Sequence, residues 1–594
     1  LLSLPPEILD LIALYTGLAS QTPISSSPTP PQALLDLLLV CRQIHAHLAP
    51  ANNPRLYARI FRSKFDTEAI CRRFGRKAVS SRVLCDELQR RCIILKRIRH
   101  ATELGRLRPE GPGEASDAAM RENLWLAYLL CTENDGLNVA ALQWANIKEY
   151  LSLHHTQEML ESALEPGYPP ESEDRALALH IGYLIKDPAE LTQESKDEVE
   201  EKLFILRPFV FASHKFECFY APWTLRSLPI RRAEEPGEAM EEVERERHEA
   251  AGQSRAGSVR GSPAQPANPF LADLAPKVRT TVLYHCGQRL TLRPPVLAHA
   301  AYFSFFNQVE CDPAVVGLQA ILGLLHPSLS AGRVGEETTV LEQPGYIPGG
   351  PIHSLSSAEH DRDLARLVAC HDPYRSPGLK PCFFAGQLEG AWEGRFSFFD
   401  FDSYREMLAG RMQSLYEGPF GEQPQVWKLK EHFVRVGEGS GYKEGGHAGV
   451  ISAGFGAEDP MEDRARELDA KEAAGLQGGS SAGLSAKAKG KGKRYGDDYD
   501  EQPASKDVGL STDRYEMLIS GIGHSAWGRF VLRGRVRAWD GMVILSKEYR
   551  PDGRGRWLYR GYALAGAALV GRWRDSFTPR EMSGYEGPFV LRKR

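Results

Sequence analysis

The stretch that decides the fold of the N-terminal part is residues 4–12, which read Leu4-Pro5-Pro6-Glu7-Ile8-Leu9-Asp10-Leu11-Ile12. Proline suits the first turn of a helix because it lacks the backbone N–H that would be left without a partner there. The four aliphatic residues at 8, 9, 11 and 12 then recur at helical spacing. The stretch therefore predicts a short helix with an apolar face.

Two further short helices are predicted directly after the first. One runs from about residue 32 to residue 40 and is rich in leucine, and the other starts near residue 41 and ends before Pro50. Three short helices in roughly 50 residues cannot bury their own apolar side chains well. Each such side chain gains about 1.5–3 kcal/mol when it is fully buried, so the unit needs a partner.

The residues of these helices resemble a known motif. Leu4-Pro5, Glu7-Ile8-Leu9, the leucines between 35 and 38, Leu39-Val40-Cys41-Arg42 and Leu48 are similar to the F-box pattern of fungal proteins. Residues 17–31 depart from that pattern, because a Ser/Thr/Pro-rich insertion replaces the few residues usual in the family. Loop-closure entropy grows slowly with length, so such an insertion costs little.

The resemblance implies that residues 1–66 form an F-box, which binds the adaptor Skp1 and, through it, a cullin scaffold. The residues that the motif assigns to Skp1 contact are Leu4, Pro5, Ile8, Leu9, Ile12, Leu35, Leu38, Val40, Cys41 and Leu48. The alternative is a helical hairpin buried against the rest of an all-α domain. The two differ in exposure, since an F-box presents its leucines to a partner as a helix-in-groove interface.

The composition is ordinary for a soluble chain. It has 594 residues with a formal net charge of -4, which disfavours a nucleic-acid binder along its whole length. No apolar run reaches the roughly 18 residues that span a bilayer, so no membrane association is expected. The ten cysteines are scattered without a CxxC pair, which favours a reduced cytoplasmic and/or nuclear location. Because the chain begins at Leu1 rather than Met, we expect residues to be missing before it.

The middle of the chain reads as helices. Residues 67–230 predict an irregular helical region, in which Ser195 and Glu198 form a capping-box pattern. Residues 231–270 predict a disordered linker, first rich in glutamate and then in Ser, Gly and Pro. Residues 271–330 return to apolar periodicity and predict a second helical region.

The C-terminal part predicts antiparallel β-structure. Short runs of β-forming residues are separated by Gly and Asp-Gly turns, which favours a barrel or a sandwich over residues 381–436 and 507–594. Two elements occur twice: Trp392 to Phe396 is echoed at Trp527 to Phe530, and Tyr416 to Phe420 at Tyr585 to Phe589. Residues 437–506 predict a disordered insertion, whose basic cluster at 487–494 is either a nuclear signal or a solvated charge run. The fold class is thus multidomain α+β.

The arrangement of F-box, helical region and β-domain resembles F-box-only proteins that read degrons, including the group that reads cyclin D. That resemblance implies a protein substrate bound by the β-domain. The residues proposed to bind it are Trp392, Arg395, Trp527, Arg533, Arg535, Arg537, Trp539 and Trp573.

The β-domain is basic near its end. From residue 527 to residue 594 the chain carries thirteen Arg and two Lys against three Asp and three Glu. Arginine between tryptophan and tyrosine suits acidic or phosphorylated peptides through paired hydrogen bonds, and it also suits nucleic acid. The alternative is a barrel exterior whose arginines are solvated, since alternating strands normally have one polar face.

No catalytic pattern is found in the sequence. Residues 521–526 offer GxGxxA without a flanking Rossmann unit, and residues 523–527 fail the GxSxG elbow because Trp527 replaces glycine. There is no HExxH motif and no P-loop. We therefore predict no catalytic residue, no cofactor, no metal and no enzyme activity.

The functional expectation is a substrate-recognition subunit of a Skp1–cullin–F-box ubiquitin ligase, with an unknown degron as its ligand. The rival expectation is an interaction or nucleic-acid-binding protein that uses the basic β-domain without a role in ubiquitin transfer. A barrel enzyme would need a deep cavity that holds a metal or a titratable pair.

Overall fold

The structure is a computed structural model, and the residues it describes fall into ten ranges. They are 4–18, 30–186, 190, 193–221, 278–310, 356–435, 515–550, 555–564, 568–578 and 584–594. The predicted linker at 231–270 and the predicted insertion at 437–506, with its basic cluster, lie outside the described residues.

The first half of the chain is helical, as its periodicity predicts. Its α-helices are α1 (Pro6–Leu18), α2 (Gln32–Leu38), α3 (Arg42–Leu48), α4 (Pro54–Lys64), α5 (Glu68–Phe74), α6 (Ser81–Leu104), α7 (Glu114–Thr132), α8 (Asn138–Trp144), α9 (Ile147–His154), α10 (Glu161–Leu164), α11 (Glu173–Ile185) and α12 (Lys196–Phe211). The capping box at the start of α12 is confirmed: the Glu198 backbone N–H donates to Ser195 Oγ at 3.3 Å, and the Ser195 N–H donates to Glu198 Oε2 at 2.7 Å. Within the described ranges, no helix has the length and apolar character needed to cross a bilayer.

The second predicted helical region is only partly helical. Its described residues contain a β-hairpin, β1 (Thr281–His285) with β2 (Gln288–Leu292), followed by helix α13 (Leu297–Glu310). The turn consists of Cys286 and Gly287, both at positive φ, which matches the tight turn that joins two antiparallel strands. The prediction of helix across 271–330 is therefore wrong for the hairpin, where alternating residues favour strands over the helical period.

The C-terminal part is a closed antiparallel barrel of eight strands. They are β3 (Gly390–Phe399), β4 (Phe420–Arg435), β5 (Tyr515–Ser525), β6 (Gly528–Val536), β7 (Val543–Tyr549), β8 (Arg556–Leu564), β9 (Ala568–Asp575) and β10 (Glu586–Lys593). Each strand pairs with the next one in sequence, and β10 closes the barrel against β3. The barrel half of the predicted alternative is confirmed. Helices α15 (Phe401–Leu408) and α16 (Met412–Glu417) connect β3 to β4.

Aromatic side chains fill the barrel. Trp392 on β3 lies opposite Trp427 on β4, and both are fully buried. The Trp427 ring lies 5.1 Å from the Tyr559 ring and 5.9 Å from the Phe589 ring, measured between centroids. An eight-stranded barrel has an interior just wide enough for side chains to fill, which is the arrangement here.

The helices and the barrel share one core, and arginines cross between them. Helix α14 (Asp361–Ala369) carries Arg366, which is fully buried. Its guanidinium donates to the Asp540 carbonyl at 3.0 Å and to the Ala563 carbonyl at 3.1 Å, and it lies 4.4 Å from the Phe384 ring centroid. In the opposite direction, from the barrel to the helices, Arg572 of β9 donates to the Val210 carbonyl of α12 at 2.7 Å.

We expect Arg366→Met to lower the free energy of unfolding by roughly 2–5 kcal/mol, because two buried carbonyls lose their donor. Denaturant unfolding of the full chain checks this. Arg362→Met is the matched control, since Arg362 lies on the same helix and is partly exposed. Equal unfolding midpoints for the two variants would contradict this assignment.

Candidate functional site

Seven large apolar side chains are exposed on and next to the first two helices. We call this set the N-terminal apolar face: Leu4, Ile8, Leu11, Tyr15, Leu35, Leu39 and Val40. Fractional exposure runs from 38% at Leu4 to 81% at Leu39. The positions 8, 11 and 15 are spaced by three and four, so they form one stripe along α1, and Leu4 lies just before the first residue of the helix.

The ten residues that the F-box motif assigns to Skp1 contact do not all lie on this face. Leu4, Pro5, Ile8, Leu35 and Val40 are exposed, and Ile12 and Cys41 are half-buried. Leu9, Leu38 and Leu48 are buried in the core between the helices. As placed, those three stabilise the helical unit and cannot contact a partner.

The sequence interpretation missed three members of the face, namely Leu11, Tyr15 and Leu39. Leu11 and Tyr15 lie three and seven residues after Ile8, so helical spacing alone places them on the same stripe. Matching to the motif favoured the residues that the pattern names instead.

A half-exposed contact centred on a carboxylate holds the apolar face in position. Asp10 Oδ1 of α1 accepts a hydrogen bond from Asn53 Nδ2 at 2.7 Å and lies 3.0 Å from His47 Nε2. Asn53 also caps α4, because its side-chain oxygen accepts from the Leu56 N–H at 3.3 Å. Helices α1, α3 and α4 are thereby fixed to one another, and the exposed stripe on α1 points away from their shared core.

Most of the tryptophans proposed to bind substrate are buried. Trp392, Trp539 and Trp573 are all at most 3% exposed. Each donates its indole N–H to a backbone carbonyl: Trp392 to Leu388, Trp539 to Ser376 and Trp573 to Ser397. Their placement as surface binding residues is therefore wrong as the chain is folded, since the strand positions that carry Trp392 and Trp573 face the barrel interior.

Much of the basic excess of the β-domain is buried, whereas Arg529, Arg550, Arg556 and Arg594 are exposed among its described residues. Five of its arginines are buried or nearly so: Arg537, Arg560, Arg572, Arg574 and Arg592. Arg537 pairs with Asp540 and donates to the Ala221 carbonyl at 3.0 Å. These side chains are not the solvated exterior of a barrel, because they serve contacts within the chain and with the helical region.

The other proposed arginines are also tied into the fold. Arg395 is 9% exposed, bonds Glu422 and lies 3.3 Å from Glu310. Arg533 and Arg535 are partly buried on the outer side of β6. None of the three stands free on the described surface.

Trp527 differs from the other three tryptophans, because it is 40% exposed. It lies in the turn between β5 and β6 at one end of the barrel. Its ring lies 5.4 Å from Phe396, 6.4 Å from Phe398 and 6.4 Å from Tyr549, measured between centroids. An exposed indole thus lies directly over the aromatic interior, and we call this region the Trp527 end.

Below the Trp527 end lies Lys547, which the sequence interpretation missed. Its Nζ is 4.0 Å from the Phe530 ring centroid and 5.0 Å from that of Tyr549, and it donates to Gln425 Oε1 at 3.0 Å. No carboxylate in the described part of the chain pairs with it. Burial lowers the pKa of Lys547 from its ordinary 10.5 to about 7. The alternation of β7 was the signal available, because residues 543, 545, 547 and 549 face inward.

Comparisons with protein-family models, with curated proteins and with solved structures gave no match to this chain. The functional argument therefore uses the chain's own residues.

The depressed pKa of Lys547 makes stability depend on pH. Between pH 7 and pH 10.5 the unfolded chain binds more protons at this residue than the folded chain, so its contribution to stability rises with pH across that window. We expect Lys547→Met, which fills a similar volume without charge, to lack this contribution. Denaturant unfolding of both proteins at several pH values above 7 measures it; parallel pH profiles would contradict the burial of an unpaired ammonium.

Proposed function

We propose that this chain is the substrate-recognition subunit of a Skp1–cullin–F-box ubiquitin ligase. The observation that carries the proposal is the N-terminal apolar face, which lies on the residues that resemble the F-box motif. Large apolar side chains grouped on a surface mark an interaction site, whereas single ones need no explanation. The alternative of a hairpin buried against the chain's own residues would leave no such face.

The face suits a protein partner on energetic grounds. Fully burying an exposed side chain of this size is worth about 1.5–3 kcal/mol, and these seven are 38–81% exposed, so covering them offsets a large share of the free energy that association costs in lost motion. Two packed helices that present leucine side chains match a helix-in-groove interface. Skp1 is the partner that the motif implies.

The barrel is the proposed substrate domain, and its Trp527 end is the proposed contact. An exposed indole supplies apolar contact to a substrate peptide. Lys547 lies beneath it and is only 1% exposed, so it supports the Trp527 end from inside and does not itself touch the substrate.

A receptor of this kind does no bond chemistry itself. It raises the effective concentration of a substrate lysine near the conjugating enzyme, which requires a firm connection between adaptor and substrate. Buried contacts between α5 and α14 provide such a connection. Arg73 Nε donates to Asp361 Oδ1 at 2.6 Å, and Arg366, five residues later on the same helix, donates to the Asp540 carbonyl just before β7.

The Skp1 prediction is tested by Leu35→Asp and Ile8→Asp. Each places a charge on the N-terminal apolar face without touching the helical core, so we expect loss of Skp1 co-purification with an unchanged unfolding midpoint. Leu164→Asp is the control, because Leu164 is 70% exposed at the end of α10, which packs on residues 155–160. Leu38→Asp is uninformative, since Leu38 is buried. Skp1 binding by both variants as strong as that of the control would overturn the ligase proposal.

The substrate prediction is tested by Trp527→Ala. Pull-downs under proteasome inhibition should lose a set of proteins that the wild-type chain captures, while retaining Skp1. Ile522→Ala is the matched control, because Ile522 is exposed on the outer wall of β5. An unchanged set of captured proteins would move the substrate site elsewhere. Salt-dependent RNA binding by the barrel, without Skp1 binding, would favour the nucleic-acid-binding alternative.

A further inference from the structure

The turn of the β1–β2 hairpin places reactive side chains inside the protein. Cys286 has a φ of 48° and Gly287 a φ of 72°. Position one of such a turn usually takes Asn, Asp or Gly, because other residues are strained at positive φ. Cys286 is nevertheless there, and neither it nor His285 is more than 1% exposed. Strain of this kind is retained where the surrounding structure uses the residue.

Three different donor types converge at this turn. Glu87 of α6, His285 and Cys286 bring a carboxylate oxygen, an imidazole nitrogen and a sulfur within 4.8 Å of one another. Cys286 Sγ lies 3.6 Å from His285 Nε2, and His285 Nδ1 lies 3.5 Å from Glu87 Oε1. Donors of a tetrahedral zinc site, with bonds of about 2.0–2.3 Å, are roughly 3.5 Å apart. Because the sulfur lies nearest Nε2 and the carboxylate nearest Nδ1, an ion held by Nδ1 requires the Cys286 side chain to turn toward that nitrogen.

One nitrogen of His285 is left without a hydrogen bond. Its Nδ1 is buried and has no hydrogen-bond partner among the described residues, whereas Nε2 lies 2.8 Å from Glu133 Oε1. A carboxylate that holds one imidazole nitrogen and frees the other for a metal is the usual support of a histidine ligand. The free nitrogen faces the Glu87 carboxylate.

We propose that Glu87, His285 and Cys286 bind one zinc ion. Thiolate, imidazole and carboxylate together are the donor set that zinc accepts, and the sulfur disfavours magnesium and calcium. The fourth position of a tetrahedral site would be taken by water, since Glu133 holds the other nitrogen of His285. The ion would fasten the hairpin to α6 and α7, which is a structural role independent of Skp1 or substrate binding.

The three arginines next to the site are compatible with the ion. Arg91 Nη2 lies 4.0 Å from Cys286 Sγ, where it would act as an outer hydrogen-bond donor to a thiolate. Arg91 also lies 3.1 Å from Glu87 and 3.4 Å from Glu133, Arg90 lies 3.5 Å from Glu87, and Arg73 lies 3.5 Å from Glu133. One divalent ion that replaces the thiol proton of Cys286 and one imidazolium proton of His285 leaves the local charge unchanged. The carboxylates therefore remain balanced against the three arginines.

The test measures zinc in the full chain. Protein produced with added zinc and dialysed against metal-free buffer should retain about one zinc ion per chain, read by elemental analysis. Replacement by Co²⁺ should give the near-ultraviolet absorption of a cobalt–thiolate bond. A folded wild-type chain that holds no zinc and gives no such absorption would overturn the proposal. Skp1 binding measured on the same sample separates this outcome from failure of the ligase proposal.

Variants identify the ligands. Cys286→Ser should abolish the cobalt–thiolate absorption, and His285→Gln should lower zinc retention at least tenfold. Cys218→Ser is the matched control, because Cys218 is a buried cysteine next to Tyr302 rather than to Glu87. Retention of zinc and of the cobalt absorption in both ligand variants would show the ion to be elsewhere. The wild-type measurement decides the matter if either variant fails to fold.

Discussion

The buried guanidinium of Arg366 joins the two halves of the molecule. It is carried by the short helix α14, and it donates to the Asp540 carbonyl just before β7 and to the Ala563 carbonyl near the end of β8, which lie at the same end of this antiparallel pair. The first residue of the same helix, Asp361, accepts hydrogen bonds from Arg72 at 2.8 Å and Arg73 at 2.6 Å on α5. One helix of nine residues thus links the helical region next to the N-terminal apolar face with the barrel wall. Separating these buried groups would leave donors and acceptors without partners, which costs free energy. These contacts therefore set the distance between the two proposed binding surfaces.

Local patterns in the sequence predicted most of the elements. Proline at the start of α1, the capping box before α12 and the alternation of the C-terminal strands each depend on residues a few positions apart, and each was confirmed. The choice between barrel and sandwich required knowing that β10 pairs with β3, which are far apart in sequence. The β1–β2 hairpin was missed because its apolar content also fits a helix, and only the Cys286–Gly287 turn distinguishes the two.

Residue type was a poor guide to exposure in the barrel. Tryptophan binds ligands and also fills cores, and the side that a strand residue faces decides which role it takes. Trp392 and Trp573 face the barrel interior, whereas Trp527 lies in a turn and its side chain is partly exposed to solvent. The arginines of the β-domain were predicted to bind substrate for a related reason. An arginine has a long aliphatic stem and five N–H donors, so it can also cross a buried interface and bind backbone carbonyls, as Arg572 does. Lys547 passed unnoticed because a single lysine in an alternating strand is usually on the solvent side.

The closure of the barrel by its last strand has a consequence for biosynthesis. While the ribosome is still making β10, the seven earlier strands leave β3 and β9 with unsatisfied backbone edges, and exposed edges pair readily with other chains. The helices can pack before then, because their contacts with one another precede β3 in the nascent polypeptide. A transcript truncated within the β10 codons would therefore produce a folded N-terminal half attached to an open sheet with unpaired edges. Such an aggregation-prone species is the kind that chaperones retain.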